Sequence, residues 1–150
     1  MTPKEMEQHL ARNQESLRRL ISRTLPVKAG TIAVNHFRDN FREEGFVDAS
    51  LERWKPSKRK SNPKHPDYAY KTLLSRRQNL YKSIRKQPGK GKVTIYTNVP
   101  YAAAHNEGTG NAGRNHRVRI PKRQFIGPSK QLDDKVRKMI DDEIRKAIGD

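Results

Sequence analysis

The spacing of apolar residues makes the chain open as helix. Thr2-Pro3-Lys4-Glu5 supplies a capping hydroxyl, a proline suited to the first helical position and a carboxylate where a capping box needs one. Met6, Leu10, Leu17, Leu20 and Ile21 follow at helical spacing, a narrow stripe on an otherwise polar helix. Leu25-Pro26 interrupts it and starts a second helix, with Val27, Val34, Phe37 and Phe41 on one face and Gly45 as its stop. Two amphipathic helices meeting at a proline predict a helical hairpin or an L-shaped arm. Its apolar faces serve the core or a neighbouring subunit.

The period changes in the second half. Leu73, Leu74, Leu80 and Ile84 predict a short helix around Ser75–Tyr81, with extended chain over Ser83–Gln87. Pro88-Gly89-Lys90-Gly91 is a turn, and Val93, Ile95 and Thr97 alternate with Thr94, Tyr96 and Asn98, which predicts a β-hairpin with one buried face. Pro100 opens a short helix over Tyr101–Asn106, whose alanines allow close backbone approach. Gly108 to Gly113 reads as a flexible loop. Val118–Ile120 and Phe125–Ile126 read as one further strand around Pro121. After Pro128-Ser129, residues Leu132, Val136, Met139, Ile140, Ile144 and Ala147 form the most regular stripe in the chain. Asp133 and Asp134 stand near the start of that helix and Arg145 and Lys146 near its end, as the helix dipole favours. The predicted class is α+β: a small, mostly antiparallel sheet flanked by helices in one domain of 150 residues. Residues 1–45 form the N-terminal arm, 55–67 an extended basic loop, and 71–150 an α+β core closed by an amphipathic helix.

Composition adjusts this picture. Apolar residues make up 32% and charged residues 33%, so the core is small and part of the chain orders as arms and loops. No run approaches the roughly 18 apolar residues of a membrane helix, and the N-terminus lacks a secretory layout. With no cysteine, a cytosolic chain without disulfides or thiolate sites is expected. The net charge of +17 is concentrated. Residues 1–50 hold 8 Lys/Arg against 7 Asp/Glu, residues 131–150 hold 5 against 6, and residues 51–130 hold 20 against 3. Such a field favours nucleic acid or acidic protein surfaces. Lys58, Arg59 and Lys60 make one basic cluster, in a loop with three prolines and no large apolar residue. Arg114, Arg117, Arg119, Lys122 and Arg123 make a second. Without interleaved aromatics, contact with nucleic acid would be to phosphates and independent of sequence. The lone Trp54 reads as a core anchor.

Catalytic signals are weak. Gly108-Thr109-Gly110-Asn111-Ala112-Gly113 spells a dinucleotide-binding pattern, yet a helix precedes it where that mechanism needs a strand. His105, Asn106 and His116 resemble part of a metal-dependent nuclease. Glu107 is, however, the only acid between Asp67 and Asp133, whereas a hydrolytic metal site wants clustered carboxylates or histidines. No nucleophile elbow or Walker loop is present. Neither a metal nor a cofactor is expected, nor is an enzyme.

Four stretches in one order resemble the phage virion morphogenesis family of Mu-like tail-completion proteins. They are Trp54-Lys55-Pro56, Leu80-Tyr81-Lys82-Ser83-Ile84, Tyr101-Ala102-Ala103-Ala104-His105-Asn106-Glu107-Gly108-Thr109 and Ile120-Pro121-Lys122-Arg123-Gln124-Phe125-Ile126-Gly127. The last two are the specific ones. Where the family usually has Thr-Gly before its Leu-x-x-Ser-Ile segment, this chain has Arg77-Gln78. The resemblance implies a non-enzymatic virion protein at the head–tail neck, found in the host cytoplasm during assembly. It further implies a homo-oligomeric ring, hexamer or dodecamer, whose partners are other neck, connector and tail proteins. Tyr101, His105, Gly108, Thr109, Ile120, Pro121, Phe125 and Ile126 are then expected at subunit boundaries, with Ile120–Gly127 as a strand there. The two basic clusters are expected to face DNA or an acidic neighbour. Deleting Ser57–Pro66 is expected to leave a folded protein that assembles poorly. The alternative is a free, sequence-independent nucleic-acid-binding protein.

Overall fold

A computed structural model describes residues 1–149. Helix α1 (Pro3–Arg19) begins with the predicted capping box: Glu5 N donates to Thr2 Oγ1 at 3.1 Å and Thr2 N to the Glu5 carboxylate at 2.6 Å. It buries no residue. A π turn, Leu20–Thr24, carries it directly into α2 (Leu25–Glu43), so the two predicted helices meet end to end as an arm with no loop between them. Pro26 accounts for the junction. Its ring clashes with the carbonyl four residues back and it has no N–H to offer, so the helix widens: Leu25 N donates to Leu20 O, five residues back. The Ser22 carbonyl instead accepts from Gly91 N at 3.2 Å, in the turn of a distant hairpin.

Helix α2 is the post of the fold. Phe41 is fully buried and meets Trp54, Tyr81 and Phe125 with ring centroids 5.6, 5.8 and 5.3 Å away. Ala33, Val34, Phe37, Phe46, Leu80, Ile84, Ala102 and Leu132 complete the core. Asn40 is 0% exposed within this apolar face and is fully used: Nδ2 donates to Phe125 O at 3.0 Å and Oδ1 accepts from Val47 N at 3.0 Å.

The single sheet expected from sequence is three separate two-stranded antiparallel ribbons: β1 (Gly45–Val47) with β2 (Leu51–Arg53), β3 (Arg85–Gly89) with β4 (Lys92–Tyr96), and β5 (Thr109–Ala112) with β6 (Val118–Ile120). Each strand has five residues or fewer, and β1, β3 and β4 pack on α2 rather than on another strand pair. The β3–β4 hairpin turns at Lys90-Gly91 and sets Val93 and Ile95 on its covered face, as predicted. It lies close against α2 because Gly30 has no side chain: a Cβ there would come within 2.8 Å of Val93 Cγ2.

The short helix predicted around Ser75–Tyr81 lies slightly later, as α3 (Asn79–Ser83). Gln78 before it takes φ +54° and ψ +35°. This is a left-handed position that favours glycine, and it falls where the resembled family carries one. Helix α4 (Ala102–Glu107) leads through Gly108 into β5, so the glycine-rich run is a paired strand with a register irregularity rather than a flexible loop. The second half of Ile120–Gly127 is not strand. Only Ile120 is paired, because the Phe125 and Ile126 amides donate to the Asn106 side chain, at 2.9 and 3.0 Å, instead of to a neighbouring strand.

The basic loop is not extended either. It folds into turns, with a short 3-10 segment at Lys58–Ser61, around the Arg59 guanidinium. That group donates to the carbonyls of Asp67, Lys71 and Leu74 at 3.1, 2.6 and 3.2 Å. Arg59 thereby satisfies backbone that the loop would otherwise leave to water, so removing 57–66 would strip a structural post and not merely a flexible arm. Helix α5 (Lys130–Ile148) is capped by Ser129 and docks on α2, tied by Lys28 to Glu143 at 2.6 Å. Its stripe fades from buried Leu132 through half-buried Val136, Met139, Ile140 and Ile144 to exposed Ala147 and Ile148.

Candidate functional site

Three of the four stretches that carry the family resemblance meet at one junction. Trp54 Nε1 donates to Gln124 O at 2.8 Å; Arg123 donates to Lys55 O at 2.7 Å and Pro56 O at 3.2 Å; Arg123 N donates to His105 O at 2.7 Å. Asn106 closes it from α4 by accepting the Phe125 and Ile126 amides. The fourth stretch, around α3, enters the same core through Leu80 and Ile84. Gly108 is required for the geometry. Its φ is +76°, and a Cβ would stand 2.8 Å from Lys122 N, so any side chain is strained and collides with backbone.

This junction separates the residues expected at subunit boundaries. Tyr101 is exposed, packing edge-on against the half-buried His105 at 5.9 Å. Thr109, Ile120, Pro121 and Ile126 are half-buried at the surface, whereas Phe125 is 1% exposed and belongs to this chain's own core. The basic residues divide in the same way. Lys58, Arg114, Arg117, Arg119 and Lys122 are exposed. Arg59 holds its loop, Lys60 is half-buried with Nζ donating to Tyr68 O at 3.3 Å, and Arg123 is 8% exposed at the junction. Burial, then the charge of Arg59, lowers the pKa of Arg123. Burial, then the charge of Arg123, lowers that of His105.

Among the described residues, the positive charge is not neutralised internally. Of the 20 Lys and Arg in residues 51–130, only Lys130 has a carboxylate within 4.0 Å, that of Asp134. Between the 55–58 segment and β6 these cations line a pocket of about 390 Å³. No group of three or more His, Cys, Asp or Glu is placed to hold a metal ion among the described residues, and no helix is long and apolar enough to cross a membrane.

Sequence reasoning missed Asn40, Asn106 as a clamp, and the structural use of Arg59 and Arg123. Asn40 carried a signal, since it is polar yet adjoins the Phe37–Phe41 stripe. The arginines carried none, because a guanidinium folded onto backbone carbonyls reads in sequence like any surface cation.

Comparison with known proteins places these features in context. A model of the phage virion morphogenesis family matches residues 6–148. The Mu-like prophage FluMu G protein 2 of Haemophilus influenzae is 42% identical over 55 residues, which is 37% of this chain and 39% of that protein. No solved structure matches.

Proposed function

The chain belongs to the phage virion morphogenesis family, and from that premise we propose that it is a non-enzymatic structural protein forming a homo-oligomeric ring at the head–tail neck. Helix α1 carries this reading. It runs for 17 residues without burying one, and its stripe leaves Met6 and Leu10 53% and 55% exposed. A capped amphipathic helix that meets α5 and half-buries Leu17, yet leaves the apolar residues of its first turns exposed, is stabilised by packing that the single chain only partly provides, which is the condition of an assembly arm. The unpaired cations of residues 51–130 suit a surface that faces DNA in a channel or an acidic neighbouring protein.

Negative-stain microscopy and light scattering of the purified protein test the ring. Closed rings, or rings formed on adding neck and tail proteins, are expected. A phage lacking the protein should accumulate unjoined heads and tails. Absence from finished virions, or turnover of a substrate by the purified chain, would overturn the reading. The same unpaired cations favour a second reading, a free nucleic-acid-binding protein. A monomer at all concentrations, with duplex affinity falling steeply as salt rises, would select it.

A further inference from the structure

The pocket between the 55–58 segment and β6 is cationic, and the chain supplies no counterion to it. Lys55, Lys58, Arg119 and Arg123 line it, and none has a carboxylate within 4.0 Å among the described residues. Arg123 spends Nε and Nη2 on the carbonyls of Lys55 and Pro56, and Nη1 has no partner among the described residues. On the same wall stands His105, whose Nδ1 is buried with no hydrogen-bond partner. A buried guanidinium without a counter-charge, in a pocket that the chain leaves without a carboxylate, is a site lacking its other half.

We propose that this pocket receives a glutamate or aspartate side chain from an extended acidic segment of a partner protein. Shape favours peptide over nucleic acid. Cations alternate here with Pro56, Val118, Ile120 and Pro121, so a carboxylate and the methylene stem beneath it both find contacts. A duplex, whose major groove alone is about 12 Å wide, is too broad to enter and would touch only the rim. A second copy offers no extended acidic segment, since Glu43-Glu44, Asp133-Asp134 and Asp141-Asp142-Glu143 lie in helices or at their ends. Four of the five carboxylates on α5 are already held, Asp134 by Lys130, Asp141 by Arg145, Asp142 by Lys138 and Glu143 by Lys28. Two basic faces of like sign also repel. The inference stands apart from the ring, since a monomer would carry the same pocket.

The test is calorimetric titration of the full chain with a blocked six-residue peptide alternating glutamate and leucine. Its glutamine counterpart, inorganic phosphate and a 20-base-pair duplex serve as competitors. Lys58→Ala and Arg119→Ala alter exposed side chains and should each weaken peptide binding roughly tenfold, the loss of one charge-assisted contact. Arg76→Ala and Arg77→Ala remove equally exposed cations that do not line the pocket, and should stay within about twofold. The His105 ring resonances should move on adding peptide and not on adding its glutamine counterpart. Equal losses in all four variants would reduce the effect to net charge and overturn the proposal. Displacement of the peptide by phosphate or duplex would reassign the pocket to phosphate, and no binding would empty it. None of these outcomes touches the ring, which microscopy reads.

Discussion

Protonating His36 sets two cations against each other. Its Nε2–H faces Val47 O at 3.0 Å and Ser129 Oγ at 3.1 Å, while Nδ1 accepts from Lys135 Nζ at 3.1 Å, the tautomer that satisfies all three partners. Burial, against the pull of the Val47 carbonyl and with the help of Lys135, holds its pKa below the ordinary 6.5. The unfolded chain therefore binds this proton more readily than the native one. Stability is complete above about pH 6.5 and drains as pH falls from there toward the native value. His105 is shifted in the same direction and adds to the slope. Urea midpoints measured between pH 7.5 and 5 should fall in the native sequence and fall less in His36→Gln; equal slopes would remove His36 from the account. Gln78 offers the opposite kind of test. A non-glycine residue at φ +54° is strained, so Gln78→Gly should raise stability by about 0.5–1 kcal/mol in chemical denaturation, the relief slightly exceeding glycine's entropic cost. An unchanged or lowered midpoint would mean that the turn carries no strain.

Among the elements, the helices and the β3–β4 hairpin were legible because each announces itself within a dozen residues, by a cap, a stripe or an alternation. What the chain does at 55–74 and 121–127 was not. Both segments are shaped by side chains that reach backbone far away in sequence, Arg59 to Leu74 and Asn106 to Ile126, and periodicity records no such partnership. The α+β class and the antiparallel pairing are as the sequence predicts, but the division into three ribbons was hidden for a related reason. Strand character is local, but whether ribbons join depends on which neighbour each one meets. The candidate site was legible as a set of stretches and illegible in its division of labour, since Phe125 and Arg123 look outward in sequence and are enclosed in the fold. Arg59 makes the point testable. Arg59→Ala should turn the compact loop into a substrate for limited proteolysis between Lys58 and Lys71, while the unfolding free energy measured in urea falls by no more than about 1–3 kcal/mol, the scale of losing hydrogen bonds to a charged group. Cleavage no faster than in the native sequence would show that the loop stands without it.

For the whole molecule, the first turns of α1 stand outside the core. Removing residues 1–14 takes away no buried residue, so thermal unfolding should shift by only a few degrees while higher-order species vanish from light scattering. A truncated protein that still assembles would move the interface elsewhere. The π turn at Leu20–Thr24 then acquires a meaning of its own. A single residue taken out of that turn would tighten it and rotate everything before it by about 100° around the helix axis. Met6 and Leu10 would swing to a new azimuth, with loss of the seating of Leu20, the Ser22–Gly91 bond and the approach of α1 to α5. The bearing of the arm is thus set at one wide turn, which the hairpin tip and α5 hold against the body.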